Sequence, residues 1–233
     1  MAVARLQVLP VAAVAAEAVA QGTDWLTATE QARLQAITLG ARREAFLAGH
    51  WQARRAAAAW LQLDAGRIAL ERHPDGRPRL CVDGVDLTLQ VSLSHSGDWL
   101  AVVLADAPVG VDIELPRRDR DWEALARFVF SPEELRRLRD GDAAARARLF
   151  HAFWTLKEAR GKRSGEGLRP KAARAVTATA CAPRHAEALS WAFGDGALAV
   201  ALAPGMAVSV AGTALGEPVH WRYIDGDRPA LAD

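Results

Sequence analysis

The chain has 233 residues, half of them apolar, with 29 basic against 28 acidic side chains and a net charge near +1. That length holds one large domain or two halves of roughly 100 residues each, with a full core. The near balance of charge excludes a nucleic-acid binder held by bulk electrostatics. Cys81 and Cys181, with no CxxC spacing, exclude a disulfide scaffold and a zinc knuckle. No stretch approaches the ~20 strongly apolar residues of a membrane span. The apolar run Leu6–Ala20 is broken by Gln7, Pro10 and Glu17, which disfavours a signal peptide, so a soluble cytoplasmic protein is expected.

Taken in chain order, Leu6-Gln7-Val8-Leu9 alternates weakly as a first strand, and the alanine-rich Ala12–Gln21 reads as a helix lost at Gly22. Thr27 or Thr29 caps a helix running through Arg33 to about Leu39, where Gly40 stops it. A longer helix, about Arg42 to Leu63, has the buried stripe Phe46, Gly49, Ala53, Ala57 and Trp60, with Arg42, Arg43, Arg54 and Arg55 largely off it. Short strands Arg67–Glu71 and Arg79–Val82 flank a turn at His73–Pro78. Leu87–Leu93 and Trp99–Leu104 read as strands around a Ser94–Asp98 turn, and Val109–Leu115 as another strand.

In the second half, Ser131-Pro132-Glu133-Glu134 is a helix start with Ser at the cap, Pro at the first position and Glu at the third. That helix ends near Arg139, and Ala143–Arg163 is a long helix closed by Ser164-Gly165-Glu166-Gly167. Strand-like runs follow at Ala175–Thr179, Leu189–Phe193, Ala197–Leu202 and Ala207–Val210. The tail after Gly216 carries Trp221 and Tyr223 with no period that assigns it. Each half offers helices, one of them long, followed by short strands, although no repeat can be quoted residue by residue. The expected fold is therefore α+β, two pseudo-symmetric halves at 1–108 and 109–233. Each would pack a long helix on a small, mostly antiparallel sheet.

Two stretches carry chemistry. On the strand Gly110-Val111-Asp112-Ile113-Glu114, Val111 and Ile113 point one way and the two acids the other, where like charges need a counter-charge, either a bound cation or basic side chains. On the long helix, Trp154, Glu158 and Lys162 stack at four-residue spacing, with Lys157 about 100° round from Glu158 and able to face the same cleft. Asp112, Glu114 and Glu158 are hard oxygen donors that suit Mg²⁺, which keeps waters and completes its shell with substrate phosphates. Lys157 and Lys162 would clamp phosphate oxygens, and Ser94 and His95 would donate to them. A P-loop, a GxSxG elbow and an HExxH helix are all absent. His50, His73, His151, His185 and His220 lack ligand spacing and read as structural or surface residues.

Ser-His-Ser-Gly at 94–97, Gly-Val-Asp-Ile-Glu at 110–114 and Trp-x-x-Lys-Glu-Ala-x-x-Lys at 154–162, closed by Gly165-x-Gly167-Leu168, resemble in that order the 4′-phosphopantetheinyl transferases. The closer similarity is to the monomeric surfactin-synthetase-activating type, over roughly Thr27 to Leu168. The resemblance implies transfer of the phosphopantetheine arm of coenzyme A to a serine of an apo acyl or peptidyl carrier protein, releasing adenosine 3′,5′-bisphosphate. It puts Asp112, Glu114 and Glu158 at magnesium and makes Glu158 the general base. Lys157 and Lys162 fall on phosphate and leaving-group contacts with Trp154 packed beside them, and Ser94 and His95 on the cofactor's phosphates. Arg77-Pro78 and Arg33 fall at the adenosine end and its 3′-phosphate. Glu30 and Arg160 depart from the usual pattern, and Gly161 should cost its helix up to ~1 kcal/mol relative to alanine. A protein of the same fold that binds coenzyme A or carrier without turnover is the second reading.

Overall fold

The computed structural model describes residues 2–116 and 121–226. Its elements begin β1 (Val3–Pro10), α1 (Val11–Ala20), α2 (Ala28–Ala36), α3 (Gly40–Leu61), β2 (Ile68–Arg72), β3 (Pro78–Val82), β4 (Val85–Ser96) and β5 (Trp99–Ala105). They continue β6 (Gly110–Glu114), α4 (Trp122–Val129), α5 (Pro132–Asp140), α6 (Ala143–Ser164), α7 (Pro170–Arg174) and β7 (Val176–Ala180). The chain then forms β8 (Ala188–Phe193), β9 (Gly196–Ala201), β10 (Ala207–Gly212) and β11 (Val219–Asp225). Two compact units result: residues up to Val109 with Ala207–Ala214, and Gly110–Met206 with the chain from Leu215.

The first unit is a sheet of order β10-β1-β5-β4-β3-β2, antiparallel except where β10 joins β1 in parallel. Against it lies α3, whose buried face is mostly alanine (Ala48, Ala53, Ala57), small enough for the helix to sit close on Leu80, Leu100 and Val102. The second unit's sheet has the order β6-β9-β8-β11-β7, all antiparallel. Its core joins α6 to that sheet through Phe150, Phe153, Trp154 and Leu156, with Phe130 and Trp221. The expected class, α+β with two mostly antiparallel sheets each under a long helix, is what the chain adopts.

The two units follow one plan. In each, the first strand pairs antiparallel with a later strand (β1 with β5, β6 with β9), helices intervene before the next strand, and the long helix has 22 residues. The slot held by β3 in the first sheet is filled in the second by β11, which runs antiparallel to both β7 and β8. That placement assigns the tail the sequence left open: the Trp221 indole donates to Ser190 Oγ at 2.8 Å, and the Tyr223 hydroxyl donates to Leu156 O at 2.8 Å. A repeat is also quotable after all. A constant offset relates Thr27 to Ser131, Glu30 to Glu134, Leu34 to Leu138 and Phe46 to Phe150. Thr27–Glu30 and Ser131–Glu134 are both capping boxes, at the starts of α2 and α5.

Three local expectations change. Gly40 opens α3 and does not close α2, which ends at Ala36. Ser94 and His95 belong to β4, the turn being confined to Gly97-Asp98. Arg54, expected off the buried stripe, has no solvent exposure, because it is the partner of a buried acid. Glu30 is 2 % exposed and accepts from Arg54 Nη1 at 2.9 Å and Nη2 at 2.5 Å, with His50 Nδ1 2.5 Å away and the Thr27 N–H at 2.7 Å. The Arg54 guanidinium also lies over Trp25, 5.0 Å from the ring centroid.

Burial pushes the Glu30 carboxyl up, but hydrogen bonds from His50 and Arg54, the Arg54 charge and the Thr27 N–H outweigh it and hold its pKa at about 2. A depressed carboxyl pKa contributes stability that is complete above the ordinary value of 4.5 and lost as pH falls toward 2. The contribution is on the order of 3 kcal/mol. Urea unfolding at stepped pH should therefore show wild-type stability falling across that window. Glu30→Gln should be less stable at neutral pH and should flatten the acid limb; an unchanged limb would remove Glu30 as its source.

Candidate active site

β6 is pressed onto α6 by its first residue. A Cβ on Gly110 would lie 2.1 Å from Ala159 O and 2.6 Å from Arg163 N, so only glycine allows the strand so close to the helix backbone. Because side chains alternate along a strand, the Gly110 face that meets α6 is also the face of Asp112 and Glu114. Lys162 confirms the direction: its Nζ is 2.8 Å from Asp112 Oδ1 and donates to Val111 O at 3.0 Å. Further along, Leu115 and Pro116 share a hollow with Ala147, Phe150 and His151 of α6. Strand and helix therefore run in opposite directions along one seam, from Gly110 against Ala159–Arg163 to Leu115 against the first turns of α6.

On this seam the structure brings Asp112 and Lys162 into contact, Asp112 being buried and Lys162 partly exposed. Glu114 and Glu158 are both partly exposed, Glu158 one helical turn before Lys162. Among the described residues no three His, Cys, Asp or Glu side chains are gathered as a metal-holding group. Asp112 and Glu114 are carboxylates on one strand face, the hard oxygen donors that Mg²⁺ takes, and Lys162 supplies the counter-charge to Asp112 in this structure.

Lys157 is elsewhere, which corrects the expectation that it shares a cleft with Glu158. It is 2 % exposed, pairs with Glu134 Oε2 at 2.9 Å, and donates to Ala173 O at 2.7 Å and to Val176 O. An ammonium has three donors, and these partners take all of them. Burial lowers its pKa below the ordinary lysine value, with Glu134 opposing the shift. Glu134 also accepts from the N–H groups of Ser131 and Ala178, both at 2.8 Å, so the pair ties α6 to α5, α7 and β7. Sequence reasoning missed Glu134 as a partner and saw only a capping residue. Trp154 is likewise core, 6 % exposed and stacked on Phe150 at 5.9 Å between centroids.

The remaining candidates lie in the first unit. The pairing of Arg79 with Gln90 places the Pro78 end of β3 at the same sheet end as Ser94 and His95 of β4. Arg77 stands beside it, its guanidinium Nη2 2.8 Å from Asp75 Oδ2. His95 is exposed and Ser94 buried. Arg33 is exposed on α2 and lies over Phe46, 5.3 Å from the ring centroid. Residues 117–120, which follow Pro116, lie outside the described residues.

Comparison with known proteins agrees with the motifs. The sequence pattern of the 4′-phosphopantetheinyl transferase superfamily matches residues 108–201, the stretch that holds β6 and α6. Among curated relatives, the 4′-phosphopantetheinyl transferase HetI of Nostoc sp. is 30 % identical over 144 residues, 61 % of each chain. A phosphopantetheinyl transferase of Thraustochytrium sp. is 33 % identical over 60 % of this chain and 52 % of its own. The 4′-phosphopantetheinyl transferase AcpT of Salmonella typhi is 34 % identical over 46 % of this chain and 59 % of its own. The matched stretches thus span between half and three fifths of these relatives. The family resemblance read from the sequence is borne out at the level of the superfamily, and the surfactin-synthetase-activating type is not singled out.

Two substitutions test this geometry. Lys157→Met strands Glu134 in the core and should cost about 3–5 kcal/mol, with much of it regained in the Glu134→Gln/Lys157→Met double variant. A lysine that only held phosphate would leave the melting temperature where it was. Gly161→Ala should destabilise by about 1–3 kcal/mol despite alanine's helix propensity. The reason is that an added Cβ would lie 2.6 Å from the Gly167 carbonyl carbon, where the chain folds back and Gly167 N–H reaches Gly161 O. A rise in stability would mean that this close approach is absent.

Proposed function

We propose that the chain transfers the 4′-phosphopantetheine group of coenzyme A to a serine of an apo acyl or peptidyl carrier protein and releases adenosine 3′,5′-bisphosphate. It would do so as a cytoplasmic, magnesium-dependent monomer of the surfactin-synthetase-activating type. The observation that carries this reading is the Asp112–Lys162 contact on the β6–α6 seam, within the stretch that matches the superfamily. Arg77, Pro78, Ser94 and His95, gathered at one sheet end, support binding of the cofactor's adenosine and phosphates, and Arg33 is a further cation for the 3′-phosphate.

Asp112, Glu114 and Glu158 are the residues that would hold magnesium, which supplies neutralisation of the diphosphate charge. In the transfer, the serine oxygen forms a bond to the β-phosphorus and the bond from that phosphorus to the bridging oxygen breaks. Glu158, partly exposed, accepts the serine proton as attack proceeds, because a neutral hydroxyl is a poor nucleophile. Lys162 has given two of its three donors to Asp112 and Val111 O, which leaves one for an oxygen of the departing group. Lys157 acts at a distance, by holding the helix that bears both residues.

Intact-mass measurement on a panel of apo carriers, incubated with coenzyme A and Mg²⁺, should show the gain of the phosphopantetheine mass. Asp112→Asn and Glu158→Gln should each slow that gain by about 100-fold or more. EDTA should stop it. Coenzyme A binding with no modification of any carrier would favour the binding protein without turnover, and EDTA-resistant transfer would remove the metal.

A further inference from the structure

α4 and α5 face each other across a second hollow, which the chemistry above does not use. On α4, Trp122 and Ala126 stand one turn apart; on α5, Leu135, Leu138 and Arg139 share a stripe by their spacing of three and four. These residues, with Glu123, Arg127 and Arg146, line a cavity of about 350 Å³. That volume lies toward the lower end of small-molecule sites. Its floor is apolar: Ala126 and Leu138 are buried, Trp122 and Leu135 half-buried. Arg146 precedes Glu158 on α6 by more than three turns, about 18 Å along the axis, so the hollow is well removed from Glu158 and Lys162.

The rim carries more positive charge than its one acid can offset. Arg127 has Glu123 one turn away on its own helix, at 3.8 Å, which leaves Arg139 and Arg146 as the excess. Both are held by their inner nitrogen. Arg139 Nε donates to Leu135 O at 3.3 Å, and Arg146 Nε donates to Gly141 O at 2.8 Å. Arg146 Nη2 also reaches Arg139 O at 3.4 Å, which bridges the turn between α5 and α6. A guanidinium anchored through Nε keeps terminal N–H groups for a further acceptor, already oriented as a fork. Backbone carbonyls satisfy part of its hydrogen bonding and none of its charge. An oxyanion supplies both the acceptor oxygens and the opposite charge.

We propose that this hollow binds an anionic amphiphile, with a carboxylate or phosphate head between Arg139 and Arg146 and an alkyl tail on Trp122, Ala126, Leu135 and Leu138. A bare anion would gain nothing from the apolar floor. A wholly apolar ligand would take water from two guanidiniums and return no acceptor. Only a ligand with both parts matches both parts of the lining. The assignment does not depend on the transferase reading.

The test separates head from tail. Calorimetric titration of the full chain with decanoate and with decyl phosphate, each below its micelle-forming concentration, should show saturable one-to-one binding, and the tighter of the two identifies the head. Each buried methylene contributes about a factor of four, so hexanoate should bind at least about tenfold more weakly than decanoate. Decanamide, with the same tail and no charge, should also lose about tenfold or more. Arg139 is exposed, so Arg139→Gln spares the core. It should weaken decanoate by about tenfold and change decanamide by less than about twofold. Arg139→Lys, which keeps the charge without the fork, should recover part of the loss, and unchanged melting temperatures confirm that both variants fold. Equal affinity of decanoate for wild type and Arg139→Gln overturns the site, and so does decanamide binding as tightly as decanoate. Inorganic phosphate binding as tightly as decyl phosphate also overturns it, because the floor then contributes nothing. If no alkyl anion binds while Arg139→Gln raises the carrier's KM, this face docks protein and the proposal is wrong.

Discussion

A carboxylate enclosed by a hydrophobic core must be matched by an equally enclosed donor set, and each unit of this chain is organised around one such match. In the first, Glu30 is held by Arg54; in the second, Glu134 is held by Lys157. Both acids close a capping box at the start of a short helix, and both cations stand on the long helix. Each pair therefore fixes how the long helix is rotated against the rest of its unit. Taking two charges from water is costly, so such pairs add less to stability than their short distances suggest. What they add is orientation: a helix held at one azimuth presents one chosen set of residues to the strand beside it.

The two clamps differ by one step, and that step bears on the chemistry. The offset that relates Glu30 to Glu134 relates Arg54 to Glu158 and Ala53 to Lys157. In the second unit the buried cation thus stands one residue earlier on its helix, and the place corresponding to Arg54 holds an acid. An arginine with no solvent exposure became, on the other half of the same plan, a partly exposed glutamate above the β6 seam. Similar backbones carry a sealed salt bridge in one unit and an open acidic edge in the other.

Much of this was legible from local patterns. Ser131-Pro132-Glu133-Glu134 announced its helix, the alternation around Asp112 announced its strand, and the spacing of Glu158 and Lys162 placed both on one face. These signals lie within a turn or a strand, where period and capping chemistry act. The errors came where the partner is remote. Lys157 looked as available as Lys162, because nothing local shows that Glu134 and the Ala173 and Val176 carbonyls close around it. Arg54 looked off the buried stripe for the same reason. Gly161 looked like a helix defect until the returning chain at Gly167 gave the missing side chain a purpose. The tail was unreadable because β11 is inserted between strands made much earlier, a pairing with no sequence period of its own.

That insertion has a consequence for how the protein is born. While the ribosome is still making the region before Val219, β7 and β8 are without the strand that comes to lie between them. The first unit is also short of its edge at that stage, since β10 joins β1 from far along the chain. Both sheets therefore wait on the stretch from Ala207 to Asp225, and strand edges stay unsatisfied until it is made. Nascent chains should depend on holding factors until that stretch emerges, and the two units should reach their native sheets almost together, not one after the other.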